Sequence, residues 1–166
     1  MRKKKYSLEN LKKGIEDNEK IGLLAENEII IYEKIKLKEY IDQQPSLIHH
    51  VSSKDTTLGY DIESYIIADK NELHPIKIEV KAVSITDYHF HWSASEMDAA
   101  KKFKNDYYLY LLPCLGKDKF DINNIRIIKN PLKNLLSNNS WQRQIESVSF
   151  LLKKTDANSR ATITKK

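Results

Sequence analysis

Three ionisable residues have types and spacings that suit chemistry on a phosphate. Asp61 lies in one alternating apolar and polar run, and Glu79 and Lys81 lie two positions apart in the next run. Because strand side chains alternate between two faces, Glu79 and Lys81 must share a face. Paired carboxylates favour a hard divalent cation, and a nearby lysine can orient a water or stabilise a phosphate. The spacing alone is more typical of an ordinary cross-strand Glu–Lys pair on a solvated sheet, because these residues are common on exposed strands.

The loop between the two runs decides whether Asp61 joins the other two residues. The polar segment Asp69–Asn71 predicts a turn. A loop of odd length centred near Lys70 places Asp61 opposite Glu79. A loop of even length shifts the register by one residue and sends Asp61 to the other face. The local pattern permits the cluster and does not require it.

Two helices are predicted before the first run. One covers residues 7–20 with Ser7 as its N-cap, and a stronger one covers residues 23–40. Glu26 lies at the edge of the second helix's apolar stripe, with Glu33 two turns further along the same edge. From there Glu26 either reaches over the sheet or remains an ordinary exposed carboxylate. The stripe itself consists of Leu23, Leu24, Ile30, Ile31, Ile35 and Leu37.

Another helix is predicted to begin at a capping box, with Ser93 as N-cap and Glu96 as the third helical residue. The N-terminus of a helix presents free N–H groups and a positive dipole end, which suits a phosphate. Ser95, Lys101 and Lys102 are therefore candidate phosphate contacts, although lysines on a solvated helix face are common.

Two histidine pairs have a weaker claim to bind a metal. His49 and His50 are adjacent in a predicted strand and would point to opposite faces. His89 and His91 would share a strand face, but no third ligand lies nearby in the sequence. We expect structural roles for the first pair, and packing or substrate contact for the second.

The later part of the chain predicts further elements of a sheet. Residues 106–112 form the most apolar run and predict a central strand that stops at Pro113. Residues 122–129 predict another strand, and a short helix is expected after Asn130. Residues 140–154 fit either a helix capped by Ser140 or an alternating strand.

Composition limits the class of protein. A chain of 166 residues is long enough to bury a core as one domain. One cysteine excludes a disulfide framework, and with no predicted signal peptide or membrane span we expect a cytoplasmic protein. Residues 1–5 and 153–166 each carry +4, which leaves −3 for the rest of the total charge of +5. Such basic arms can bind phosphates non-specifically, but they support a nucleic-acid partner only weakly.

The chain resembles the NO VEIN C-terminal domain family, a branch of the PD-(D/E)XK nuclease superfamily found in bacterial restriction and defence contexts. The resemblance covers about residues 20 to 132. It departs from the family where the usual Gly-Glu of the first helix is Ala25-Glu26 here. The matching segments are Leu24-Ala25-Glu26, Tyr32-Glu33, His50-Val51-Ser52, Gly59-Tyr60-Asp61-Ile62, Ile78-Glu79-Val80-Lys81, Ser93, Glu96, Ala99 and Tyr107-Tyr108-Leu109-Tyr110.

The resemblance implies one nuclease-like domain over residues 1–166, with an α/β (α+β) fold in which a restriction-endonuclease-like mixed sheet is flanked by helices. It implies that Asp61, Glu79, Lys81 and Glu26 are catalytic. A Mg²⁺ ion, or Mn²⁺ in its place, would be held by Asp61, Glu79, Glu26 and the carbonyl of Val80.

Three functions compete at this point. The first is a metal-dependent endonuclease acting on double-stranded DNA in restriction or anti-phage defence, as a homodimer or with a partner subunit. The second is a non-catalytic nucleic-acid-binding or scaffolding module of a defence complex. The third, a two-carboxylate glycosidase, needs a sugar-stacking cleft that nothing in the sequence indicates.

Overall fold

A six-stranded mixed β-sheet flanked by helices forms the body of the computed structural model, which describes residues 8–116 and 118–144. Strands β1 to β5 follow one another across the sheet, and β6 pairs with β4. Only β3 and β4 are parallel among the paired strands of these residues. This confirms the predicted α/β (α+β) class and is consistent with a restriction-endonuclease-like fold. The strands are β1 (His49–His50), β2 (Ile62–Ile67), β3 (Leu73–Ser84), β4 (Tyr107–Gly116), β5 (Lys119–Phe120) and β6 (Arg126–Lys129).

The first helix is longer than predicted. Helix α1 runs without a break over Leu8–Lys36, and a short α2 (Lys38–Ile41) follows. The prediction of two helices separated near residue 21 is therefore wrong. Gly14 and Gly22 lie inside α1, and a glycine lowers helix stability by only about 1 kcal/mol, which tertiary packing can outweigh. The predicted N-cap, Ser7, lies outside the described residues.

Helix α1 packs on the sheet with a face that only partly overlaps the predicted one. Leu23, Ile31 and Ile35 are 50%, 52% and 72% exposed. The buried line repeats every fourth residue, which is one ridge of a helix. The predicted stripe held only Leu37 of this line, and it missed two other members because one is small and the other is charged. The four residues are Ala25, Ile29 and Glu33 of α1 and Leu37, which directly follows it.

Glu33 is a fully buried carboxylate that ties α1 to the sheet. It accepts hydrogen bonds from the Oγ of Ser64 on β2 at 2.6 Å and from the hydroxyl of Tyr110 on β4 at 3.0 Å. The Nζ of Lys36, one turn along α1, donates to Oε1 at 2.6 Å. Buried charges are tolerated when they are paired and hydrogen-bonded in this way.

Strand β3 divides its side chains between two layers. Ile78 and Val80 pack against α1 through Ala25 and Ile29, as their positions predicted. The intervening residues, Glu79 among them, face the opposite layer. That layer contains α3 (Ala94–Phe103) and α4 (Pro131–Leu136). The candidate site therefore lies on the α3 side of the sheet.

Two predicted strands differ from the structure in extent. β4 is central, as expected, but it continues past Pro113 to Gly116. Pro113 lies between the parts of β4 that pair with β6 and with β5, a gap where the missing N–H of proline is tolerated. Residues 122–129 form a 3-10 turn, Ile122–Asn124, and then β6 instead of one strand.

The histidine strand that the sequence predicted does not form. β3 ends at Ser84, and Tyr88 has a φ of 52°, which is incompatible with an extended run. His89 and His91 therefore lie in a loop, with their rings 5.1 Å apart. The helix expected after Asn130 is confirmed as α4. Residues 140–144 lack regular secondary structure, and residues 145–154 lie outside the described part.

Candidate active site

The hairpin between β2 and β3 places Asp61 across from Glu79. Ile62 pairs with Ile78, a register that is symmetric about Lys70 in the connecting turn. Asp61, immediately before β2, donates its main-chain N–H to the carbonyl of Ile78 at 2.9 Å. The odd-length alternative is the one that the protein adopts, so Asp61 and Glu79 share a face.

Four carboxylates from four separate elements line one cavity of about 310 Å³ within the described residues. They belong to Glu26 of α1, Asp61 before β2, Glu79 of β3 and Glu96 of α3. The structure thus brings Glu26, Asp61 and Glu79 together, as predicted. Glu96 is an additional member, which the sequence indicated as part of the capping box and of the family resemblance but not as a site residue.

Lys81 lies between two of these carboxylates. Its Nζ is 2.7 Å from Oε1 of Glu79 and 2.8 Å from Oε2 of Glu96, and its side chain is 18% exposed. Burial, the largest single effect, lowers the pKa of Lys81, but the negative charges of Glu79 and then Glu96 outweigh it and raise the pKa above its usual value. Lys81 is therefore a buried cation at neutral pH.

Asp61 and Glu79 hold their protons more strongly than ordinary carboxyls. Burial, followed by the charge of Glu26, raises the pKa of Asp61 to about 7. The main-chain N–H of Val80 opposes this shift by donating to Oδ2 of Asp61 at 2.8 Å. Burial, followed by the charge of Asp61, raises the pKa of Glu79 to about 8. The cavity thus disfavours the ionised forms of both carboxyls.

Glu26 is held in place from the strand side of the cavity. Its Oε2 accepts a hydrogen bond from the Oγ of Ser52 at 2.6 Å and lies 2.5 Å from Nε2 of His50. His50 therefore contacts a residue of the site and is more than a structural histidine, whereas His49 is exposed. The sequence held a signal for both contacts, because His50 and Ser52 belong to a segment that resembles the family.

Helix α3 begins where the capping box predicted. The Oγ of Ser93 accepts the N–H of Glu96 at 3.3 Å, and Oε2 of Glu96 accepts the N–H of Ser93 at 3.1 Å. The helix start packs directly on Gly59, which has a φ of 73°. A Cβ at Gly59 would lie 2.4 Å from the carbonyl oxygen of Ser95. Only glycine allows this close approach, which sets the position of α3 over the site.

The three predicted phosphate contacts on α3 occupy different places. Ser95 lines the cavity. Lys101 is exposed, with its Nζ 2.7 Å from Oδ1 of Asp98. Lys102 lines a neighbouring groove, and its Nζ is 4.9 Å from the ring centre of Phe103. Neither lysine reaches the cavity itself.

A comparison with protein-family models assigns the chain to a family. The model described as "Protein NO VEIN, C-terminal" matches residues 25–125, more than half of the chain. The chain belongs to this family. The matched part of this NO VEIN C-terminal domain includes all four cavity carboxylates and Lys81. Neither the search of curated proteins nor the search of solved structures found a match.

The NO VEIN C-terminal domain has only a few oxygen atoms that could bind a cation in the described part of the chain. Within residues 8–116 and 118–144, no three acidic, imidazole or thiol side chains are arranged to hold one ion together. Asp61 and Glu79 are, however, two buried carboxylates close enough to repel each other, and a cation would relieve this repulsion. This pair fits Mg²⁺, which commonly binds one or two carboxylates and retains several waters. No helix in these residues has the length and apolar character needed to cross a membrane.

Proposed function

We propose that this NO VEIN C-terminal domain is a metal-dependent DNA endonuclease of the PD-(D/E)XK superfamily, acting in restriction or anti-phage defence. The observation that carries the proposal is a buried ammonium, Lys81, at the side of two carboxylates with raised pKa values, Asp61 and Glu79. Their order and spacing, with Asp61 just before β2 and Glu79 and Lys81 on the paired β3, resemble the motif of that superfamily. Burying three ionisable groups in one place lowers the stability of a protein and is typical of functional sites.

Each residue of the site has a separate role in this proposal. Asp61 and Glu79 would hold Mg²⁺, or Mn²⁺ in its place, with Glu26 and the carbonyl of Val80 as further donors. When bound, such an ion would activate a water and neutralise the charge that develops on the phosphate. Lys81 supplies a permanent positive charge, which can orient that water or stabilise a phosphate oxygen.

Charge determines how DNA would approach the site. The cavity has four carboxyl groups and one adjoining ammonium among the described residues. Those carboxyl groups that are ionised repel a phosphate, and a bound cation would relieve this repulsion. Ser95, on the cavity wall, is the best placed of the predicted phosphate contacts. Residues 1–5 and 153–166, each with a charge of +4, would supply non-specific affinity for the DNA backbone.

Plasmid cleavage with Mg²⁺ tests the proposal. Asp61→Ala should abolish cleavage. Lys81→Met keeps the apolar stem and removes the charge, so it should slow cleavage by about a hundredfold or more while DNA affinity stays nearly intact, since one lysine is about one phosphate contact of several. Lys77→Met is a matched control on the same strand face, because Lys77 pairs with Glu63 at 2.6 Å and does not line the cavity. Cleavage that survives both Asp61→Ala and Lys81→Met would refute the proposal.

A non-catalytic nucleic-acid-binding or scaffolding module is the second candidate. The observation in its favour is that no three side chains of the described residues converge on one ion. Under this alternative the unmutated protein does not cleave DNA whichever divalent metal is supplied, and Lys81→Met weakens DNA binding.

Nicking and linearisation of the plasmid should be measured separately. One domain of this kind provides one hydrolytic site, and cutting both strands requires a second site from a homodimer or a partner subunit. Nicking without linearisation would indicate an active monomer.

A further inference from the structure

Glu96 connects two parts of the fold through a single oxygen. Its Oε2 accepts the main-chain N–H of Ser93 at 3.1 Å, which closes the capping box of α3. The same oxygen lies 2.8 Å from Nζ of Lys81 on β3. A capping box requires only the first of these contacts. The contact with Lys81 therefore needs a separate explanation.

The pair formed by Glu96 and Lys81 differs from an ordinary surface ion pair. Both side chains are 18% exposed, whereas Lys101 and Asp98, on the same helix as Glu96, are 64% and 72% exposed. Water and salt screen a sheltered pair much less than an exposed one. The contact can therefore hold a lysine side chain that would otherwise sample many rotamers.

The backbone beneath Glu96 is also fixed. The start of α3 packs so tightly on Gly59 that a Cβ there would lie 2.4 Å from the carbonyl oxygen of Ser95. Both hydrogen bonds of the capping box hold the first turn of the helix. The fold thus fixes the position of Glu96. Through the ion pair, Glu96 can in turn fix the position of the Lys81 ammonium.

The other anchor of Lys81 is a carboxylate that has a second role under the proposed function. Glu79 would bind a cation, and a cation there repels the neighbouring ammonium and competes for the same oxygens. We infer that Glu96 is a positioning residue. It keeps the ammonium of Lys81 at the reaction site when Glu79 binds the cation. This inference rests on the proposed function.

Two substitutions separate positioning from helix capping. Glu96→Gln keeps an oxygen for the N–H of Ser93 and removes the charge that holds Lys81. Ser93→Ala removes the hydroxyl that caps α3 and leaves the carboxylate of Glu96 beside Lys81. Glu96→Asp keeps the charge on a shorter side chain, so it should recover part of the function that Glu96→Gln loses.

The first measurement does not depend on activity. Nitrogen-detected NMR of lysine ammonium groups in the full chain without metal reports how fast the protons of Lys81 exchange with water. Glu96→Gln should accelerate this exchange by about tenfold, because one of two ion-pair partners is lost. Ser93→Ala should leave the exchange rate of Lys81 nearly unchanged.

The second measurement is single-turnover cleavage with Mg²⁺, alongside DNA binding. Glu96→Gln should lower the cleavage rate constant by about tenfold or more, since a displaced Lys81 charge stabilises the transition state poorly. DNA affinity should change by no more than about twofold, because Glu96 contacts no phosphate under the proposed function. Ser93→Ala should stay close to the unmutated rate.

Either of two results would overturn the inference. If Ser93→Ala matches Glu96→Gln in the exchange rate of Lys81, Glu96 acts only as a helix cap. If Glu96→Gln changes neither measurement, Glu96 does not hold Lys81. Absence of cleavage by the unmutated protein would instead count against the proposed function, and the exchange rates would still decide whether Glu96 anchors the lysine.

Discussion

Replacing Glu79 by glutamine is expected to stabilise the free protein above neutral pH. Glutamine has nearly the same shape as glutamate and carries no charge, so the substitution removes a buried negative charge beside Asp61. Lys81 keeps Glu96 as an ion-pair partner at 2.8 Å. The change therefore tests the cost of the charge without emptying the space that Glu79 fills.

The magnitude follows from the pKa of Glu79. Burial and the charge of Asp61 raise it from 4.5 to about 8, and at about 1.4 kcal/mol for each step of one in pKa the ionised side chain costs up to ~5 kcal/mol. The side chain is 5% exposed, so solvent screening removes little of this cost. An amide must still be desolvated and hydrogen-bonded, so we expect a gain of roughly 2 to 4 kcal/mol above pH 8.

The sign of the pH dependence follows from the same shift. A carboxyl whose pKa is raised on folding binds its proton more strongly in the folded state. The contribution of Glu79 to stability is therefore greatest below the unfolded pKa of 4.5 and is lost as the pH rises toward about 8. Asp61, with its pKa raised to about 7, contributes in the same direction. Glu79→Gln should flatten the upper part of this decline.

Urea unfolding between pH 5 and pH 9 measures the effect. Glu63→Gln is the matched control, since Glu63 lies on the same sheet face and its pKa is lowered by the hydrogen bond from Lys77. That variant should lose stability at neutral pH, the opposite of Glu79→Gln. Equal unfolding midpoints for Glu79→Gln and the unmutated protein above pH 8 would refute the argument that the charge of Glu79 is costly.

Three further predictions concern other parts of the molecule. Gly59→Ala should lower the stability by more than ~2 kcal/mol in thermal unfolding, because the residue has a φ of 73° and its new Cβ would meet the carbonyl of Ser95. An unchanged melting temperature would contradict this packing. Glu33→Ala should cost about 3–5 kcal/mol in urea unfolding, because it leaves a cation and two hydroxyls without their acceptor; a loss below about 1 kcal/mol would show that the network is not stabilising. Deleting residues 1–5 and 153–166 should flatten the salt dependence of DNA binding, and an unchanged slope would show that these arms do not contact the backbone.

The sequence left the register of Asp61 open. That Glu79 and Lys81 share a face follows from strand geometry alone. The odd loop depends on Lys70 and Asn71, which both adopt left-handed backbone with φ of 60° and 63°. Neither residue is a glycine, so no local signal distinguished this turn from one of even length.

Partners that are distant in the chain explain the larger errors. The capping box of Ser93 and Glu96 was predictable because its members are three residues apart. The burial of Glu33 was not, because Ser64 and Tyr110 lie 31 and 77 positions away. A charged residue on a helix reads as exposed unless the donors that surround it in the fold are known.

The bonds of Glu33 also set an order in which the protein can assemble while it is being made. α1 leaves the ribosome well before β4, whose Tyr110 donates to Glu33 from 77 positions further along. Until that strand is available, the helix carries a charge on the very face that must be buried. Glu26 is on the same helix, so the cavity receives its fourth carboxylate only when α1 docks. A growing chain therefore carries an incomplete site until most of the sheet has been synthesised.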